Sequence, residues 1–306
     1  MIARVHKSFT DLPTEAKGCV VAIGNFDGVH MGHQALIRCA RDKAAQLNAP
    51  IGVLTFEPHP RAYFDPHQPP FRLMPENLKT ACVANEGVEH IFVAEFNAAF
   101  AALSAHSFVD EVLVRDLDVA HVVVGADYRF GSRRKGDIAL LRELGRQYGF
   151  GVSEVAPLLD RFGLVYSSTR TRAALRDGMP HLASEILGRT WELHGRADHF
   201  DDGVVSIAFD GHQRPLPGMY VVRVEVIDPY TGKVLETVQT LSWHYAPDQN
   251  GDEDLYVSFA TDDIVGKRVR VQFLDFVEPG RLDYVGTSWA FPVNQPNLPV
   301  LNTGWV

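Results

Sequence analysis

Residues 21–37 read VAIGNFDGVHMGHQALI. A short apolar run ends here in a turn holding Gly24, Asn25, Phe26, Asp27 and Gly28, and a helical pattern begins near Met31. The run is continuous rather than alternating, as a strand buried on both faces requires. A glycine-bearing turn from strand into helix leaves backbone N–H groups free to meet an anion, and the helix N-terminus adds its positive end. His30 and His33 stand three apart at that helix start. Such a pair can hold a metal, polarise a phosphate or cap the helix. Zinc needs two further ligands, and neither HExxH nor a cysteine cluster supplies them. The turn is neither a Walker GxxxxGK[ST] loop nor a GxGxxG dinucleotide fingerprint. Phosphate polarisation and ordinary helix-start residues are the readings that remain.

Outward from this stretch, residues 1–187 alternate apolar runs with helical patterns. CVVAIGNF, PIGVLTFEPHP, HIFVAEFN, DVAHVVVGADYRFG and FGVSEVAPLL read as strands, and GHQALIRCARDKAAQLNA, HSFVDEVLVRDL and IALLRELGRQYG as helices. Strand–helix alternation implies an α/β fold with a doubly wound parallel sheet. Ligands of such sheets bind beyond the carboxyl ends of the strands, near a topological switch point. From residue 188 the pattern changes. GMYVVRVEVIDPYTGKVLETVQTLSW holds two alternating runs around a Pro/Gly turn, the mark of a hairpin, and DLYVSFATDD and KRVRVQFLDFVE add two more strands. Residues 188–285 therefore read as a small antiparallel barrel or sandwich of about six strands. Residues 286–306 read as an extended Pro/Asn-rich tail with Trp289 and Trp305.

The charge is unevenly distributed. Of the net −9, residues 1–187 contribute 20 Lys+Arg against 21 Asp+Glu, and residues 188–306 contribute 9 against 17. The first part can therefore concentrate cations around an anionic ligand, while the acidic second part argues against nucleic acid. Apolar runs fall short of the ~20 residues a membrane span needs, and MIARVHKSFTDLP lacks the apolar core of a secretory signal. Cys19, Cys39 and Cys82 are too few and scattered for a disulfide framework, so reduced thiols and a cytoplasmic location are expected.

Two further clusters follow strands. YSSTRTRAAL (166–175) puts Ser167, Ser168 and Thr169 before a helical run carrying Arg170 and Arg172. Hydroxyls there cap the helix or bind phosphate, and guanidinium forks suit phosphate oxygens. VVVGADYRFGSRRKGD leads a strand into a basic, glycine-bearing loop whose bland alternative is a charged surface loop.

GNFDGVHxGH, TFEPHP, VVGADYRFGxxRxGD and SSTRxR, in this order, resemble the adenylyltransferase module of bacterial bifunctional riboflavin kinase/FAD synthetases. The resemblance covers about 60% of the chain, across residues 20–175 and most of the first 187. It implies a Rossmann-like HxGH nucleotidyltransferase domain and the transfer of AMP from ATP to FMN, with Mg²⁺ shielding the triphosphate. It also implies roles. His30, His33 and Arg172 would act at the ATP phosphates. Gly24, Asn25, Phe26, Asp27, Ser168, Thr169 and Arg170 would form the nucleotide site. Pro58, His59, Pro60, Asp127 and Phe130 would lie near the flavin, although Phe26 and Phe130 also suit a plain core. No protein-held metal cluster is expected.

The same family carries a riboflavin kinase barrel, and here the chain departs from it. LPGMYVVRVEV and GKRVRVQFLDFV resemble two of its strands. The family's GxxLGFPTAN motif is replaced by FDDGVVSIAFDGHQRPLPG, and Tyr256 stands where the family has a glutamate. A phenol, with a reference pKa of about 10, cannot replace that carboxylate as a base near neutral pH. The expectation is an FMN adenylyltransferase with a silent kinase module, which leaves the barrel as a structural partner, an oligomerisation surface or a new binding site lined by Trp191, Trp243, Trp289 and Trp305, the plainer reading of these tryptophans being barrel core and tail anchoring. The alternatives are use of CTP, GTP or a modified flavin, a non-catalytic flavin or nucleotide sensor, and adenylyl transfer to another phosphate acceptor.

Overall fold

The computed structural model describes residues 3–277 except 10, 202, 209–210, 229–230, 245–254 and 260–261. The expected tail, with Trp289 and Trp305, lies outside the described residues. Strand β1 (Arg4–His6) pairs in parallel with a later strand, and β2 (Val20–Ile23) runs into the turn quoted above and then α1 (Met31–Leu47). Next come β3 (Ile51–Glu57), α2 (Pro60–Phe64), α3 (Glu76–Asn85), β4 (His90–Glu95) and α4 (Ala98–Ala102). The helix expected over 106–117 forms as α5 (Ala105–Ser107) continued by a π-helical run, Phe108–Asp116. After β5 (His121–Gly125) come α6 (Ile138–Tyr148), β6 (Gly151–Val155), α7 (Ser168–Arg176) and α8 (Pro180–Leu187).

The sheet order is β1-β4-β3-β2-β5-β6, with every pairing parallel. From β2 the chain steps outward to β3 and β4, then returns to place β5 on the other side of β2. The switch point therefore lies between β2 and β5, as expected for a doubly wound sheet. All four residues of β2 are buried. Alternate residues feed the two faces: Val21 and Ile23 join Leu54, Phe92 and Phe108 on one, and Val20 and Ala22 join Ile37, Val53 and Ile91 on the other. Two-sided burial explains why β2 reads as an unbroken apolar run.

The second sheet is a closed barrel of six strands in the order β10-β11-β8-β7-β12-β9. Its strands are β7 (Glu192–Asp201), β8 (Val204–Ala208), β9 (Gly218–Ile227), β10 (Val234–His244), β11 (Leu255–Ser258) and β12 (Arg268–Val277). Along β9, Tyr220, Val222, Val224 and Val226 are buried in strict alternation, so this face fills the barrel. Tyr256 on β11 stands opposite Trp243 of β10 and Ser206 of β8. The chain divides into two compact units. One comprises Met1–His194, Asp210–Leu216 and Gln272–Leu274; the other comprises Gly195–Phe209, Pro217–Val271 and Asp275–Val306. Trp191 belongs to the first unit, where its ring packs 4.7 Å from that of Phe273.

Candidate active site

The turn after β2 is wound tightly. Phe26, Gly28 and Val29 all adopt positive φ, at 51°, 85° and 42°. For a β-branched residue such as Val29 this is a marked outlier, and strain of this kind persists only where surrounding packing dictates it. Phe26 and Val29 are both buried, and a Cβ on Gly28 would lie 2.8 Å from Leu73 Cδ1. Gly32 is equally constrained: a Cβ there would lie 3.0 Å from the Tyr166 carbonyl and 3.1 Å from the His30 ring. The helix following the turn thus needs glycine between its two histidines.

His30 is the N-cap of α1, and its Nδ1 accepts the His33 backbone N–H at 3.3 Å. In the neutral ring this leaves the proton on Nε2. The two imidazoles stack at 3.6 Å between centroids. His33 Nδ1 is buried without a hydrogen-bond partner, a state that native proteins rarely leave unexplained. Burial lowers His30 to about 4, with Arg172 and Arg189 pushing the same way. Burial, aided by His30, Lys79 and Arg172, carries His33 well below 6.5. Both rings are therefore neutral at pH 7, each with one donor.

Beneath the rings runs a chain of buried charges. Arg172 of α7 donates Nη2 to Asp27 and Nε to the Phe71 carbonyl at 2.7 Å. Asp27 also accepts the Leu73 N–H at 3.0 Å and has Arg72 Nε at 3.9 Å. Glu57 takes both terminal nitrogens of Arg72, at 2.9 and 2.8 Å, and Lys79 Nζ at 2.6 Å. Burial raises Glu57, but Lys79 and Arg72 outweigh it and hold the carboxyl below its ordinary value. The sequence Lys79–Glu57–Arg72–Asp27–Arg172 thus alternates in sign and ties α3, the β3 end, the turn and α7 together. Ser168 Oγ completes the tie by donating to the Asp27 carbonyl at 2.7 Å.

These elements surround a cavity of about 850 Å³ above the switch point. Ten of the expected site residues line it: Gly24, Asn25, His33, His59, Pro60, Asp127, Phe130, Ser168, Thr169 and Arg172. Phe26, Asp27, His30 and Pro58 are not part of the lining: the first three are buried and Pro58 is exposed. Arg170 is directed elsewhere: its Nη2 pairs with Asp160 at 2.6 Å, so it pins the 157–166 hairpin rather than facing the cavity. Phe130 is both core and wall, 6% exposed and stacked on Tyr128. His59 caps α2 by accepting the Arg61 N–H at 3.1 Å, and burial lowers its ring to about 3.

The wall also contains residues that sequence reasoning did not assign. Phe56, Phe64, Phe96, Phe100 and Phe108 make one side aromatic, and Arg61, Arg129, Arg133 and Arg134 supply cations. The last three lie in the basic loop that the sequence flags, while nothing in the pattern marks Arg61 or Phe96. The lining thus combines aromatic rings with cations and hydroxyls. Among the described residues no cluster of three or more His, Cys, Asp or Glu side chains could hold a metal, and no helix is long and apolar enough to cross a membrane.

A family model described as FAD synthetase matches residues 12–170. The chain is 39% identical over 223 residues to the bifunctional riboflavin kinase/FMN adenylyltransferase of Pseudomonas fluorescens, covering 71% of each chain. It is 34% identical over 268 residues to that of Haemophilus influenzae, covering 84% of this chain and 85% of the other. A crystal structure described as a macrolide-efflux protein from Streptococcus pneumoniae superposes with a TM-score of 0.76 at 27% identity, covering 90% of this chain and 91% of that one.

Proposed function

The chain belongs to the FAD synthetase family, and from that premise we propose that it transfers the adenylyl group of ATP to the phosphate of FMN, releasing pyrophosphate and forming FAD. It is a nucleotidyltransferase. The observation that carries the specific reaction is convergence. The HMGH turn, the TFEPHP loop, the YRFG loop and the SSTRTR helix start all meet at one cavity.

In this reading an FMN phosphate oxygen attacks the α-phosphorus of ATP, and the bond from that phosphorus to the β-bridging oxygen breaks. No covalent bond to the protein forms. The chain's work is positioning and charge stabilisation. His33, neutral and part of the cavity lining, offers hydrogen bonding at the reacting phosphate. His30 presents Nε2–H and holds His33 by stacking. Arg172, fixed by Asp27 and the Phe71 carbonyl, faces the nucleotide phosphates with Ser168 and Thr169. Phe130, His59 and Pro60 flank the flavin ring. Mg²⁺ usually binds through one or two carboxylates plus substrate phosphates, and among the described lining residues the Asp127 carboxylate would hold it. Bound there, the ion would shield triphosphate charge.

The second unit carries no riboflavin kinase activity in this reading. Tyr256 replaces the glutamate of the family pattern, and the FPTAN segment is missing between β8 and β9. Product chromatography tests both halves. The purified chain with Mg²⁺ should make FAD from FMN and ATP, and no FMN from riboflavin and ATP. FMN produced from riboflavin refutes the kinase part. A dinucleotide made from CTP or GTP in preference to ATP refutes the assignment of ATP.

A further inference from the structure

The loop after β5 closes on itself as a clip. Phe130 and Gly136 exchange both backbone hydrogen bonds, at 3.1 and 2.9 Å, and Ser132 N–H donates to the Leu103 carbonyl at 2.7 Å. Gly131 presses so tightly on the neighbouring turn that a Cβ there would lie 2.5 Å from the Ala105 nitrogen. The tip residues, Arg133 and Arg134, both sit at φ 55°. Left-handed backbone is disfavoured for any residue with a Cβ, and glycine fits it without penalty. Yet both positions hold long cationic side chains that are exposed and line the cavity.

Their surroundings differ from those of the nearby arginine. Arg129 is held by Asp137 at 3.3 Å. Among the described residues neither Arg133 nor Arg134 has an ion pair or side-chain hydrogen bond. Both guanidiniums thus line the cavity without a carboxylate partner among the described residues, and an anionic ligand there would supply one. Arg134 occupies the arginine of the YRFGxxRxGD pattern, whereas Arg133 falls at a position the pattern leaves open. The pattern therefore does not account for Arg133.

We propose that Arg133 is a substrate-recognition residue of this chain, presented by the pinned clip to a phosphate group in the cavity. The proposal rests on the adenylyl-transfer reading. The phosphate belongs either to the flavin acceptor or to the nucleotide, because a guanidinium fork suits both.

Binding without turnover tests it. FMN and riboflavin would be titrated by flavin fluorescence, and ATP alone by calorimetry, against the wild type, Arg133→Gly and Arg133→Lys. Arg133→Gly should melt at a higher temperature, because the strain is removed, yet bind its phosphate ligand about five- to tenfold more weakly. Arg133→Lys should recover part of that loss. Weakening for FMN but not riboflavin assigns the acceptor phosphate; weakening for ATP assigns the nucleotide. Unchanged affinity for both FMN and ATP in Arg133→Gly overturns the inference alone. Equal weakening for riboflavin and FMN, with ATP unaffected, overturns the phosphate assignment. A wild type that binds neither FMN nor ATP overturns the adenylyl-transfer reading, and the inference falls with it.

Discussion

Asp27→Asn is the most informative perturbation of this site. Asp27 is 2% exposed and Arg172 8% exposed, so the pair is shielded from water. Breaking such a pair by removing one charge typically costs about 3–5 kcal/mol, because the partner is left buried and uncompensated. Asparagine keeps the shape and an oxygen to accept the Leu73 N–H, which donates to Asp27 Oδ1 at 3.0 Å in the native chain. One retained hydrogen bond offsets about 1 kcal/mol. The expected loss is therefore about 2–4 kcal/mol, less than the whole stability of an ordinary domain. Activity should fall further, about a hundredfold, because Arg172 loses the anchor that aims it and small misplacements of this kind are costly. Denaturant unfolding of the wild type, Asp27→Asn, Arg172→Met and the double variant gives the coupling directly. The double variant should be more stable than the sum of the single losses. A loss below about 1 kcal/mol in Asp27→Asn, or a coupling near zero, would refute the strut reading.

Two other expectations follow from the histidines. His33→Ala should lower kcat by about a hundred- to a thousandfold, with a smaller effect on stability from the lost packing against His30 and Phe26. His30→Asn should keep the α1 cap and the melting temperature while losing comparable activity; wild-type activity in either variant contradicts their placement at the phosphates. For pH, His30 and His59 are depressed from 6.5 to about 4 and about 3 in the folded chain. The folded state binds fewer protons than the unfolded state below 6.5, so stability is retained above that pH and lost as pH falls toward 4. Each ring should contribute about 2 kcal/mol of loss by pH 5, and thermal melts that stay flat between pH 7 and 5 would contradict their burial as neutral groups.

The fold was legible because burial on both faces of the sheet writes itself into sequence as apolar runs. VVAI and HVVVG could be read as strands without reference to their partners, and their alternation with helices fixed the parallel class. What escaped reading were elements whose periodicity is interrupted. Helix α3, ENLKTACVAN, buries Lys79 on the face where a stripe would have an apolar residue. Strand β1 has three residues and no buried face to announce it. The π-helical run over Phe108–Asp116 shifts the apolar spacing that an α-helix would show, though its existence as a helix was clear.

The site divides along the same line. Motif glycines and histidines were legible because local geometry demands them: Gly32 has no room for a side chain between His30 and Tyr166. Arg170 and Arg172, two apart in one motif, looked equivalent, and only tertiary partners separate them. Arg170 meets Asp160 and turns away, while Arg172 meets Asp27 from 145 positions earlier and is aimed at the cavity. That pairing also explains why neutral histidines belong here. The buried chain from Lys79 to Arg172 holds three cations against two carboxylates, so it carries one net positive charge beneath the rings. A further proton on either ring would add to an excess already buried. The site holds its positive charge in a fixed ion network and leaves the imidazoles as neutral donors, which suits the proposed adenylyl transfer, a reaction that moves no proton onto the protein.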